Sequence, residues 1–160
     1  MERRRVIVAL ALAAPSAAPV ALAPSAATAQ SRGAPPPPLA LPAGMSPLPR
    51  GAYRLQFRPN EATIPAGVAP TLAELGRRLA AIPAGTGRVT VEAQVSGPAN
   101  DASAARRVAL ARATEVRKAL VAGGIEETRV DVRALGRTTA AIDVADILPP
   151  GVQTAQRPAR

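Results

Sequence analysis

The stretch RVTVEAQVSGPANDASAARRVALARATEVRKALVAGGIEETRVDVRALG, residues 88–136, decides the fold. Its opening, Arg88 to Val95, alternates apolar and polar residues, with Val89, Val91, Ala93 and Val95 on one side. That period predicts a strand with one buried face. Ser96 to Asn100 contains Gly97 and Pro98 and reads as a loop. Asp101 or Ser103 is placed to cap a helix running to about Ala122, with Val108, Ala109, Val116, Ala119 and Leu120 along its buried side. Gly123-Gly124 stops that helix, one of the two in the left-handed conformation. Arg129 to Leu135 alternates again. A strand, a helix and a returning strand imply a crossover and at least one parallel pair.

Tyr53 to Phe57 (YRLQF) precedes this unit and reads as another half-buried strand, with Tyr53, Leu55 and Phe57 on one face. Pro70 to Ile82 reads as a helix: Val68, Leu72, Leu75, Leu79 and Ile82 recur at helical spacing, and Pro70 suits a first turn. Asp143 to Leu148 is a fourth strand, ended by Pro149, Pro150 and Gly151. The expected architecture is α+β in the order β-α-β-α-β-β, with two helices packed on one face of a mixed four-stranded sheet. It occupies residues 51–149, a typical domain length.

The segments outside that range have other signatures. Arg3 to Arg5, the short apolar run Val6 to Ala14, and Ala27-Thr28-Ala29 together read as a signal peptide over residues 1–29, with cleavage between Ala29 and Gln30. The run is too short for a membrane span, which needs about 20 apolar residues, so no transmembrane helix is expected after removal of the signal. Residues 30–50 read as a proline-rich linker: Pro35 to Pro38 are consecutive, and Pro42, Pro47 and Pro49 follow. Such a stretch favours extended polyproline II and is excluded from a sheet interior. Residues 150–160 read as a disordered tail.

Composition narrows the function. The 160 residues contain no Cys and no His, which leaves no disulfide, no thiolate metal site, no lipid-bearing cysteine and no imidazole base. No cofactor or metal is expected. Tyr53 and Phe57 are the only aromatics. The net charge is +9, but residues 51–149 hold 13 basic and 10 acidic side chains. The domain is therefore nearly balanced and lacks the stacking platforms of a nucleic-acid binder. Lys118 has no Ser motif beside it, and the carboxylates are scattered, so no enzyme is expected.

Residues 88–136 resemble the peptidoglycan-binding half of OmpA-like domains, which share the β-α-β-α-β-β order. The resemblance rests on Arg112-Ala113 followed by Val116 and Leu120, on Gly124-Ile125, and on RVDVRALG at 129–136. It implies binding to the diaminopimelate of peptidoglycan, with Arg112 in the place of the family arginine that grips a carboxylate. The family's loop aspartate falls on Gly97 and its helix asparagine on Ala105, so the carboxylate would come from Asp101, which is equally placed to be a plain helix cap. Arg112 stands on the same side of its helix as Val108 and Val116, which leaves open an ion pair with Glu115 or a side chain snorkelling from the core edge. Arg106 and Arg107 are candidates for contact with anionic surfaces or simply parts of a solvated face.

The resulting expectation is an exported, non-catalytic cell-envelope protein. It would lie in the periplasm, free or associated with the outer membrane, and bind peptidoglycan or another anionic envelope polymer. The alternative is an OmpA-like scaffold for protein–protein contact that has lost diaminopimelate binding.

Overall fold

The computed structural model describes residues 38–153. The expected signal segment, its cleavage point at Ala29 and Gln30, the start of the linker and residues 154–160 of the tail lie outside the described residues.

Seven regular elements form the domain, with short 3-10 turns between some of them: β1 (Met45–Pro47), β2 (Tyr53–Gln56), α1 (Ala69–Ala80), β3 (Val89–Val95), α2 (Ala102–Ala122), β4 (Val130–Arg137) and β5 (Val144–Leu148). The sheet order is β1-β2-β5-β3-β4. β3 and β4 are parallel, joined through α2 as the sequence requires, while β5 runs antiparallel to both β2 and β3. The last strand is thus central, and every residue of it is buried.

The sheet has five strands where four were expected, because part of the presumed linker belongs to the fold. Met45, Ser46 and Pro47 pair with Leu55, Arg54 and Tyr53. Met45 is buried, and Leu39 and Leu41 pack on the core. Pro47 is tolerated because β1 is an edge strand, where a missing N–H disrupts no interior ladder. The linker boundary at residue 50 is therefore corrected: the folded part begins within the proline-rich stretch.

One face of the sheet is apolar. Leu55, Ala145, Ala93 and Ala134 form a cross-strand row on it. α2 meets this face with Ala105, Ala109 and Ala113, so small side chains on both sides admit a close helix–sheet approach. Val108 and Ala119, expected on the buried side, are only partly buried. α1 packs through Leu72, Leu75 and Leu79. The two helices touch at glycines: a Cβ on Gly76 would lie 2.1 Å from the Leu120 carbonyl oxygen, and one on Gly123 would lie 2.0 Å from that of Ala73. Gly124, at φ 106, carries the left-handed turn that ends α2. Among the described residues, no helix is long and apolar enough to cross a membrane.

Candidate functional site

Arg112 lies halfway along α2, between Ala109 and Ala113 on the helix face that meets the sheet, and its side chain is 0% exposed. Each part of the guanidinium has an acceptor. Nε donates to the Glu61 carbonyl at 2.6 Å, Nη2 to the Arg58 carbonyl at 2.8 Å, and Nη1 to the Gln94 carbonyl at 2.9 Å and to Asp143 Oδ1 at 2.8 Å. The guanidinium carbon also stands 5.0 Å from the centroid of the Phe57 ring, within range of a cation–π contact. A buried charge is tolerable when it is paired and its donors are used, and both conditions hold here.

Asp143 precedes β5 and joins several segments. Its carbonyl accepts from Phe57 N–H at 2.9 Å. Its carboxylate accepts from Ser96 N–H at 3.2 Å and from Arg112. Burial pushes the Asp143 carboxyl upward, but the hydrogen bonds from Ser96 and Arg112, with the arginine's charge, hold it below the ordinary aspartate value. The loops after β2 and β3, the middle of α2 and the start of β5 are thus tied at one point.

This geometry places the expected site residues differently from the reading of the sequence. The guanidinium of Arg112 does lie beside the end of β3, on the Gln94 carbonyl, and reaches Ser96 through their shared partner Asp143, but it is enclosed and its acceptors are internal. Its carboxylate partner is Asp143. Asp101 is the N-cap of α2: its Oδ1 accepts from Ala104 N–H at 2.7 Å, and its Oδ2 stands 4.0 Å from Arg107. Glu115 pairs with Lys118 at 2.7 Å, not with Arg112. Arg106 and Arg107 are exposed on α2. Asp143 gave no sequence signal, since it meets Arg112 across 31 positions.

The opposite sheet face is charged. Arg54, Asp146, Glu92 and Arg133 are successive register partners across β2, β5, β3 and β4. Arg54 grips Asp146 bidentately at 2.7 and 2.8 Å, and Arg133 reaches Glu92 at 2.8 Å. The bond to Asp146 raises the Arg54 guanidinium above its ordinary value despite burial. Two adjacent buried carboxylates, each held by an outer arginine, make this a self-neutralised row. Among the described residues there is no cluster of carboxylates fit to hold a metal ion.

No family profile matches the chain, and no curated protein matches it. Solved structures do. The periplasmic domain of MotB is similar with a TM-score of 0.51 at 12% identity, covering 85% of this chain and 91% of that one. The periplasmic domain of Helicobacter pylori MotB gives 0.50 at 12% identity, covering 63% and 76%. The peptidoglycan-associated lipoprotein from Burkholderia pseudomallei gives 0.49 at 16% identity, covering 59% and 87%. At 12% identity the likeness to the two MotB domains is one of fold alone.

Proposed function

We propose that this chain, whose domain has the OmpA-like fold, is an exported, non-catalytic envelope protein that docks on an anionic envelope polymer through outward-facing arginines. The observation that carries this reading is the saturation of Arg112. A side chain already bound by four internal acceptors has no fork to offer a diaminopimelate carboxylate. The exposed cations Arg106 and Arg107 of α2 and Arg137 of β4 remain available for long-range attraction. Residues 1–29 would direct export and be removed after Ala29, which N-terminal sequencing of the chain from producing cells checks.

The test is retention on purified sacculi and on other envelope fractions. Retention that falls with salt, as exposed charge pairs are screened, and that free diaminopimelate displaces no better than acetate supports the reading. Displacement by diaminopimelate that acetate at equal concentration does not reproduce would restore a pocket around Arg112. Co-purification with an envelope protein, without binding to any polymer fraction, would favour the scaffold alternative.

A further inference from the structure

Pro98, Ala99, Ala102, Arg106, Leu135 and Arg137 line a cavity of about 180 Å³ between the loop after β3, the first turns of α2 and the end of β4. Its only charged lining residues are the two arginines. We infer that this cavity is a binding site for a single oxyanion, a phosphate or carboxylate group, carried by the anionic envelope component. The inference rests on the docking function proposed above and assigns the site that performs it.

Three observations support the assignment. First, β4 is irregular at this point. Ala93 pairs with Ala134 and Gln94 with Gly136, so Leu135 is an extra residue in the ladder. Bulges of this kind re-aim neighbouring side chains, and here Leu135 and Arg137 both line the cavity. Second, Gly136 has φ 69, and a Cβ there would lie 2.9 Å from Cγ of Arg106. The missing side chain leaves room for the Arg106 stem against β4, and Arg106 and Arg137 line the same cavity. Third, no carboxylate lines the cavity. Arg137 Nε donates to the Ser96 carbonyl at 2.9 Å, a neutral partner, and Asp101 is engaged with Ala104 N–H and Arg107. Two like charges on one small cavity repel each other unless an anion lies between them.

Size and shape set the ligand class. Pockets for whole small molecules run from roughly 300 Å³ upward, so this cavity takes one acidic group with a few atoms of its carrier. Guanidinium forks match the oxygens of phosphate and carboxylate alike. Pro98 and Leu135 supply apolar contacts for the carrier atoms beside the acidic group.

The purified chain is titrated with inorganic phosphate and separately with acetate, at constant ionic strength set by chloride, while backbone amide resonances are followed by NMR. Saturable shifts at Ala99, Ala102 and Arg137 are expected from at least one probe, and the probe that saturates identifies the acid. Arg106→Gln, at an exposed position, leaves the spectrum of the fold unchanged and weakens binding by about tenfold, the loss of one charge-assisted hydrogen bond. Arg137→Gln weakens it similarly, whereas Arg107→Gln, outside the cavity, leaves it unchanged. No saturation by either probe, or equal weakening by Arg107→Gln, overturns the site. The envelope assay separates the two levels of the argument. Retention that survives Arg106→Gln and Arg137→Gln removes the cavity and spares the docking function. Loss of wild-type retention with phosphate or acetate binding intact removes the docking function and spares the cavity.

Discussion

Arg112 and Asp143, 31 positions apart, meet at 2.8 Å with the arginine wholly enclosed. Removing the guanidinium leaves the Asp143 carboxylate with only the Ser96 N–H and strips this donor from three carbonyls. Breaking one side of a buried charge pair costs about 3–5 kcal/mol. Arg112→Ala is therefore expected to lower the urea midpoint steeply, and Arg112→Lys, which keeps the charge without the fork, to recover only part of the loss. A near-wild-type midpoint for Arg112→Ala would show that the arginine is not structural.

The same pair predicts an acid dependence. Asp143 is held below its ordinary value in the folded chain. In the window below about pH 4, near the unfolded aspartate value, the unfolded chain binds the proton more readily. Stability therefore rises with pH there. The contribution of Asp143 is complete above the unfolded value and is lost as pH falls through the lower folded value. Glu74, held down by Arg77 and then Arg78, shifts in the same direction, so the measurement must isolate Asp143. Urea midpoints from pH 7 to pH 2 should show a shallower acid limb for Asp143→Asn than for the wild type. Parallel profiles would remove the linkage.

Much of the fold was legible, and for a physical reason. Alternation in β3 and β4 and helical spacing in α1 report local burial periods, which neighbouring residues fix without distant information. β1 was not legible, because three residues among prolines carry no measurable period, and its strand character comes from pairing with Tyr53 to Leu55. Arg112 was conspicuous between Val108 and Val116. Its partners were hidden, since the carbonyls of Arg58, Glu61 and Gln94 belong to backbone that any residue would supply. The cavity at Arg106 was half legible. The exposed arginine shows in the sequence, but its neighbour Arg137 is set by a bulge at Leu135 that only the register reveals.

Helix contact gives a prediction opposite to propensity. Gly76 lies inside α1, where Ala is ordinarily favoured by about 1 kcal/mol. A Cβ at that position would lie 2.1 Å from the Leu120 carbonyl oxygen, a backbone atom that cannot rotate away. Overpacking of this kind costs about 1–3 kcal/mol, and α1 must shift from α2. Gly76→Ala is expected to lower the thermal midpoint by several degrees. A raised midpoint would mean that α1 and α2 do not meet closely at Gly76.

The charged face supplies the final prediction. Asp146 is fully buried, and Arg54, still partly exposed, is its bidentate partner. Asp146 also stands opposite Glu92 in the ladder, so loss of Arg54 leaves two neighbouring carboxylates with one arginine, Arg133, on the far side. Arg54→Met is expected to cost about 3 kcal/mol. Desolvating two charges offsets most of what their attraction returns, so the double variant Arg54→Met with Asp146→Leu should recover most of that loss. A double-mutant cycle in urea reads the coupling directly. If the double variant is as unstable as the two single losses added together, the pair is not coupled, and the row across the sheet holds by packing alone.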